Sequence, residues 1–256
     1  MQGSCFAENI ASKFINAGFT VDLNPFGIAY NPLSLSQNLN RLLDNKPFAA
    51  DELFKDNDIY HSFSHHSRFS GTNPDEVLAK INSRMEQSAT FLQTANLLVI
   101  TFGTAYVYRL QSTGATVSNC HKLPAKFFTY KRLTIDEIVD EWNGLIALLQ
   151  TFNPSLRILF TVSPVRHLKD GVHENQLSKS ILLLSVNELI GNHSNCSYFP
   201  AYEIVLDDLR DYRFLTKICS ILLRKRLIMF GKNSQRLGLT AKPQRKRMSL
   251  RKSIKR

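Results

Sequence analysis

The stretch NLLVITFG, residues Asn96–Gly103, is apolar at nearly every position. A strand with one wet face alternates apolar and polar side chains, so an unbroken apolar run of this length is expected of a parallel strand covered on both faces. Leu156–Ser163 (LRILFTVS) and Ser197–Glu203 (SYFPAYE) behave similarly, and Phe19–Asn24 (FTVDLN) reads as a further strand ending at the Asn24-Pro25 turn. Helical patterns lie between them, at Glu8–Ala17, Ser34–Asp44, Asp75–Thr94, Thr134–Phe152 and Glu174–Ile190. In the fourth of these, Ile135, Ile138, Val139 and Trp142 recur at amphipathic-helix spacing, and Thr134 with Glu137 makes a capping box at its start. Strands alternating with helices predict an α/β fold, a parallel sheet with helices on both faces. Inserted helices are expected at about 31–95. A hairpin is expected near 104–120, formed by Tyr106–Tyr108 and Thr116–Ser118 around Thr113-Gly114.

The 256 residues suffice for one buried domain, or for a domain with a tail. The net charge of +11 suggests a nucleic-acid partner until its distribution is read. Residues 215–256 hold 14 Lys and Arg and no Asp or Glu, which leaves 18 basic against all 21 acidic residues in 1–214, a net of −3. The chain therefore divides into a domain at 1–214 and a basic tail at 215–256, and no nucleic-acid partner is expected for the domain. No apolar run is long enough to span a membrane, and no charged segment followed by an apolar core opens the chain. Cys5, Cys120, Cys196 and Cys219 have no paired spacing. They read as free thiols in a reducing compartment, and a cytoplasmic location with no membrane partner is expected.

The polar clusters follow strand ends, where parallel sheets bind ligands. The first is Gly3-Ser4-Cys5-Phe6-Ala7, continuing as Glu8-Asn9-Ile10. Asn24-Pro25-Phe26-Gly27-Ile28, Tyr30-Asn31-Pro32 and Ser64-His65-His66-Ser67 come next, then Thr101-Phe102-Gly103-Thr104-Ala105 and Asn119-Cys120-His121-Lys122. Val162-Ser163-Pro164-Val165-Arg166-His167, Lys169-Asp170-Gly171, Glu174-Asn175-Gln176 and Asp208-Leu209-Arg210-Asp211-Tyr212-Arg213-Phe214 complete the series. In order and number these motifs resemble the GSCFA family, a branch of the SGNH/GDSL hydrolase-like proteins. The resemblance implies a flavodoxin-like sheet and a hydrolase or acyl-transfer enzyme acting on an ester or thioester of a small acylated substrate, with no cofactor and no metal. A second reading is a non-catalytic ligand-binding protein that keeps the same pocket.

A small residue after Gly, at a strand end and a helix start, exposes its side chain beside free backbone N–H groups that stabilise an oxyanion and favour a thiolate. The related hydrolases place their nucleophile second after Gly, which here is Cys5, with Ser4 as the alternative. An inert Cys in a tight turn remains the plain reading. The resemblance puts oxyanion contributors at Gly27 and Gly103, with Thr104 beside the latter. The Asn normally two places after the third glycine is replaced by Ala105. Asn119 or His121, from the hairpin, is a candidate substitute donor, and His167 a candidate binding residue. His65-His66 lacks the helical spacing of a metal site.

Two further expectations concern the ends. Only Met1 and Gln2 precede Gly3, too few to cross a sheet, so the first strand is expected to be largely missing and the start incomplete. The family's last block should read approximately Asp-x-x-His-Pro soon after Phe214. The chain has Leu215-Thr216-Lys217-Ile218 instead, and no His follows His193. A shifted reading frame explains both this and the loss of acidic residues. Codons allowed by Thr216 through Ser234 can spell Glu, Asp, Met, Leu, His, Pro, Ser in the other frame. The tail is therefore expected to be out of frame and disordered, and the chain inactive as written.

Overall fold

The computed structural model describes residues 1–208, and the expectations for 215–256 lie outside them. Three parallel strands form the central sheet in the order β3–β7–β8, with β3 at Leu97–Phe102, β7 at Arg157–Val162 and β8 at Cys196–Phe199. Helices flank the sheet, as the α/β, flavodoxin-like reading requires. They are α1 (Cys5–Asn16), α2 (Pro32–Asp44), α3 (Pro74–Thr94), α4 (Ile135–Phe152) and α5 (Val172–Asn192).

Four of these five helices start where the sequence supplies a side-chain cap, and α5 starts at Gly171 without one. Asn31 and Asn73 accept from the backbone N–H of Ser34 and Asp75, each followed by a proline at the first helical position. The Thr134–Glu137 capping box closes in both directions, at 3.2 and 2.9 Å. Leu98, Ile100 and Phe102 of β3, with Ile158, Phe160 and Val162 of β7, enter the main core, the period of two expected along a strand. There Trp142 meets Phe102 and Phe160 edge-on at 5.1 and 5.4 Å, and its indole N–H donates to the Pro32 carbonyl. Burying such rings contributes about 2–3 kcal/mol each. A smaller cluster of Phe6, Ala201 and Val205 holds α1 against the segment after β8.

The segment Phe19–Asn24 departs from expectation, because it forms no strand. Beside it Gln2 makes an isolated parallel bridge to Ile100, donating to Val99 O at 2.9 Å and accepting from Thr101 N at 3.0 Å. FTVDLN is tied to Met1 by two bonds, Asn24 N to Met1 O at 3.0 Å and Met1 N to Asp22 O at 2.6 Å, which make no ladder. Two further antiparallel elements were not foreseen. One is the hairpin of β1 (Leu53–Asp56) and β2 (Ile59–Ser62). The other is β6 (Phe128–Arg132), which joins β4 (Tyr106–Leu110) and β5 (Thr116–Val117) in the order β5–β4–β6. None of the helices among the described residues is long and apolar enough to cross a membrane.

Candidate functional site

The turn at residues 3–5 is held from two sides. Gln2 fixes it to the edge of β3, and the Asn24 side-chain oxygen accepts from Gly3 N at 2.9 Å. Asn24 is buried in the left-handed region, at φ 41°, which Asn tolerates better than most residues. Its amide also donates to Glu8, while Arg68 reaches both Glu8 and the Asn24 carbonyl. Ser4 is the N-cap of α1. Its buried hydroxyl accepts from Phe6 N at 3.3 Å and donates to Ser163 Oγ at 3.4 Å. Cys5 is the first residue of the helix and is partly exposed, while Ser4 takes the N–H groups of Phe6, Ala7 and Glu8 that follow it.

The next layer is built around Tyr30. Its carbonyl accepts from Gly103 N at 2.7 Å and from Thr104 N at 3.0 Å, tying the Gly27 loop to the carboxyl end of β3. Burial, followed by the charges of Cys5 and Glu8, raises the Tyr30 phenol pKa, so its ring lies within electrostatic reach of Cys5. The same ring meets His167 edge-on at 5.5 Å. Gly103 is closely packed, since a Cβ there would sit 3.0 Å from Tyr30 O and 3.5 Å from His167 Nε2. His167 Nε2 is buried with no hydrogen-bond partner among the described residues. Burial, then the Lys179 ammonium, holds the imidazole below its usual pKa. Asn175 accepts from the backbone N–H of His167 and so fixes the loop after β7.

Beneath this layer lies a residue the sequence reading passed over. Lys179 is fully buried and donates to the carbonyl oxygens of Gly103 at 2.6 Å and Ser163 at 2.7 Å. Its ammonium lies 5.7 Å from the centre of the Tyr202 ring, and burial pushes its pKa down to about 7. The signal was present in α5, whose buried stripe includes Asn175, Ser178, Lys179, Leu182 and Val186. A lysine in that stripe must find acceptors.

The structure thus gathers Ser4, Cys5, Gly103, Thr104 and His167 around Tyr30 and Ser163. The Thr104 hydroxyl pairs with Ser178 at 3.2 Å. Gly27, at φ 88°, makes the turn that delivers Tyr30, and a Cβ there would lie 2.2 Å from that of His66. Its N–H is bonded to Asn24 O at 2.8 Å, so the amides of both Gly27 and Gly103 are engaged within the fold. Asn119 and His121 sit in the insertions. Asn119 Oδ1 accepts from His121 N at 2.8 Å, and His121 Nε2 bonds Ser62 O at 2.9 Å among the rings of Phe54, His61 and Phe63. His65 is buried against Phe26, Phe48 and Phe69. Among the described residues no group of three His, Cys, Asp or Glu side chains is placed to hold a metal ion.

The model of the GSCFA family matches residues 1–218. No curated protein and no solved structure matches the chain.

Proposed function

The chain belongs to the GSCFA family, and from that premise we propose an SGNH-like hydrolase or acyl-transfer enzyme with Cys5 as its nucleophile. The observation that carries this reading is the contrast between neighbours. The Ser4 hydroxyl is buried and committed to Phe6 N and Ser163 Oγ, whereas Cys5 is partly exposed at the N-terminus of α1. The Cys5 thiolate would attack the acyl carbonyl of an ester or thioester. A carbon–sulfur bond forms, the alkoxide or thiolate leaves with its electron pair and takes up a proton, and water or an acceptor then releases the acyl group. The substrate is a small acylated molecule. The three free thiols among the described residues fit a reducing, cytoplasmic compartment.

Release of the acyl group needs a base. The family match ends at residue 218, close to the change of composition at Leu215, which supports a frameshift that removes the Asp-x-x-His-Pro block. The chain as written is then acylated but turns over slowly. The nucleotide sequence of codons 210–235 tests the frameshift. Intact-mass measurement after exposure to a p-nitrophenyl ester tests the nucleophile. One acyl group should appear on Cys5, survive Ser4→Ala and vanish in Cys5→Ala. Acylation lost in Ser4→Ala, with Cys5→Ala still labelled, would reverse the assignment.

A specific observation favours the second reading, a binding module. The amides of Gly27 and Gly103 are bonded within the fold, and Ala105 offers no side-chain donor. A chain that is never acylated yet is stabilised by a small carboxylic acid or ester would establish it.

A further inference from the structure

A thiolate attacking a carbonyl generates an oxyanion, and the site as folded is short of donors for it. The Gly103 N–H is spent on Tyr30 O at 2.7 Å and the Gly27 N–H on Asn24 O at 2.8 Å. The hydroxyl of Ser4 is committed to Ser163, and that of Thr104 to Ser178 and to Tyr106 N. The N–H groups of Phe6, Ala7 and Glu8 are taken by Ser4. Among the donors left are the Cys5 amide at the start of α1 and one ring nitrogen, His167 Nε2, which is buried without a partner among the described residues. That nitrogen lies 3.5 Å from the point where a Cβ on Gly103 would project, over the carboxyl end of β3. The ring is braced by Tyr30 and by the bond from its own backbone N–H to Asn175.

Building on the assignment of Cys5 as nucleophile, we infer that His167 is a catalytic residue that donates from Nε2–H to the acyl oxygen, completing with the Cys5 amide an oxyanion hole beside Cys5. The alternative role, proton acceptor from the thiol, fits less well. A base must become a cation, and both its burial and the Lys179 ammonium oppose that. The same surroundings suit a donor, because a neutral imidazole with the proton on Nε2 polarises a carbonyl without carrying charge. Lys179, which touches no substrate, is then a positioning residue. It anchors the carbonyls of Gly103 and Ser163 on which the floor of the hole rests.

Removing one oxyanion donor costs about 10²–10³-fold in rate. The experiment is single-turnover acylation of the full chain by p-nitrophenyl butyrate at about pH 9, where an ordinary thiol is largely ionised and no base is needed. The alkylation rate of Cys5 by iodoacetamide is measured in parallel, since that reaction forms no oxyanion. His167→Ala should acylate about 10²-fold more slowly and alkylate at the wild-type rate. His167→Gln, which restores an N–H donor but no base, should recover most of the acylation. Wild-type acylation with His167→Ala unchanged overturns the donor role and leaves the nucleophile standing. Equal loss of acylation and alkylation in His167→Ala, unrescued by Gln, also overturns it, pointing to a base or to a damaged site. A wild-type chain that is alkylated but never acylated removes the nucleophile reading itself, and the donor role with it.

Discussion

Lys179 Nζ donates to the carbonyl oxygen of Gly103 at 2.6 Å, so a buried lysine on α5 grips the backbone where β3 ends and the candidate site begins. The same ammonium takes Ser163 O, at the end of β7. Two adjacent parallel strands are thereby tied to one side chain at the point where their own ladder stops.

Lys179→Met fills most of the same volume and supplies no donor. It leaves two buried carbonyls unpaired, and an unsatisfied buried acceptor costs about 1–3 kcal/mol. Urea unfolding should show a loss of about 2–5 kcal/mol. A Met variant as stable as wild type would mean that both carbonyls find other donors and that the clamp is dispensable.

Lys179 also marks where sequence reading stops. Strands β3 and β7 were legible because a continuous apolar run has few other fates, and α4 because its periodicity and capping box agree. The candidate site was legible only in part. Cys5, Gly103 and His167 each follow a strand-like segment, so their convergence follows from topology. That Tyr30 O would occupy the Gly103 amide depends on a loop closing across 73 residues of chain, which no local pattern records. The strands β1, β2 and β6 were missed because they are short, carry no clear apolar alternation and lie outside the parallel sheet. FTVDLN looked like a strand on its own composition, but a strand is a pairing, and its two bonds to Met1 make no ladder.

His65 gives a pH dependence of defined sign. It is buried among three aromatic rings, with Nδ1 at 2.9 Å from Ser62 Oγ. Burial, then the charges of Arg41 and His121, lowers its pKa from 6.5 to about 3. Between those values the unfolded chain binds a proton that the folded chain refuses. The stability this group confers is full above about pH 6.5 and is lost progressively as pH falls toward about 3. His65→Phe should show a shallower fall in thermal midpoint from pH 7 to pH 4 than wild type does. Parallel pH profiles for the two proteins would show that His65 is not the group responsible.

Two left-handed glycines separate backbone strain from crowding. Gly114, at φ 73°, has nothing within 4 Å of an added Cβ, so Gly114→Ala should cost about 1 kcal/mol. Gly27, at φ 88°, would place its Cβ 2.2 Å from that of His66, adding overpacking of about 1–3 kcal/mol to the same strain. Gly27→Ala should therefore lose clearly more stability in urea. It should also slow Cys5 acylation, since the displaced turn is the one that delivers Tyr30. Equal losses for the two variants would show that the Gly27 turn yields without disturbing its neighbours.

Asn24 is the joint between this loop and the turn that carries Cys5, and its two side-chain atoms can be tested apart. Oδ1 accepts from Gly3 N at 2.9 Å and Nδ2 donates to Glu8 Oε1 at 3.3 Å. Asn24→Ala deletes both bonds and leaves Ala at φ 41°, a loss of about 2–4 kcal/mol. Asn24→Asp keeps the acceptor for Gly3 but sets a second carboxylate against Glu8, with only Arg68 to offset it. Facing carboxylates raise one another's pKa, so the folded variant binds a proton more readily than its unfolded chain does. Relative to wild type at each pH, Asn24→Asp should thus be weakest near neutrality and recover as pH falls below about 5. Asn24→Ala should show no such recovery. If both variants trail wild type by a constant margin across that range, the contact with Glu8 contributes nothing, and Asn24 acts through Gly3 alone.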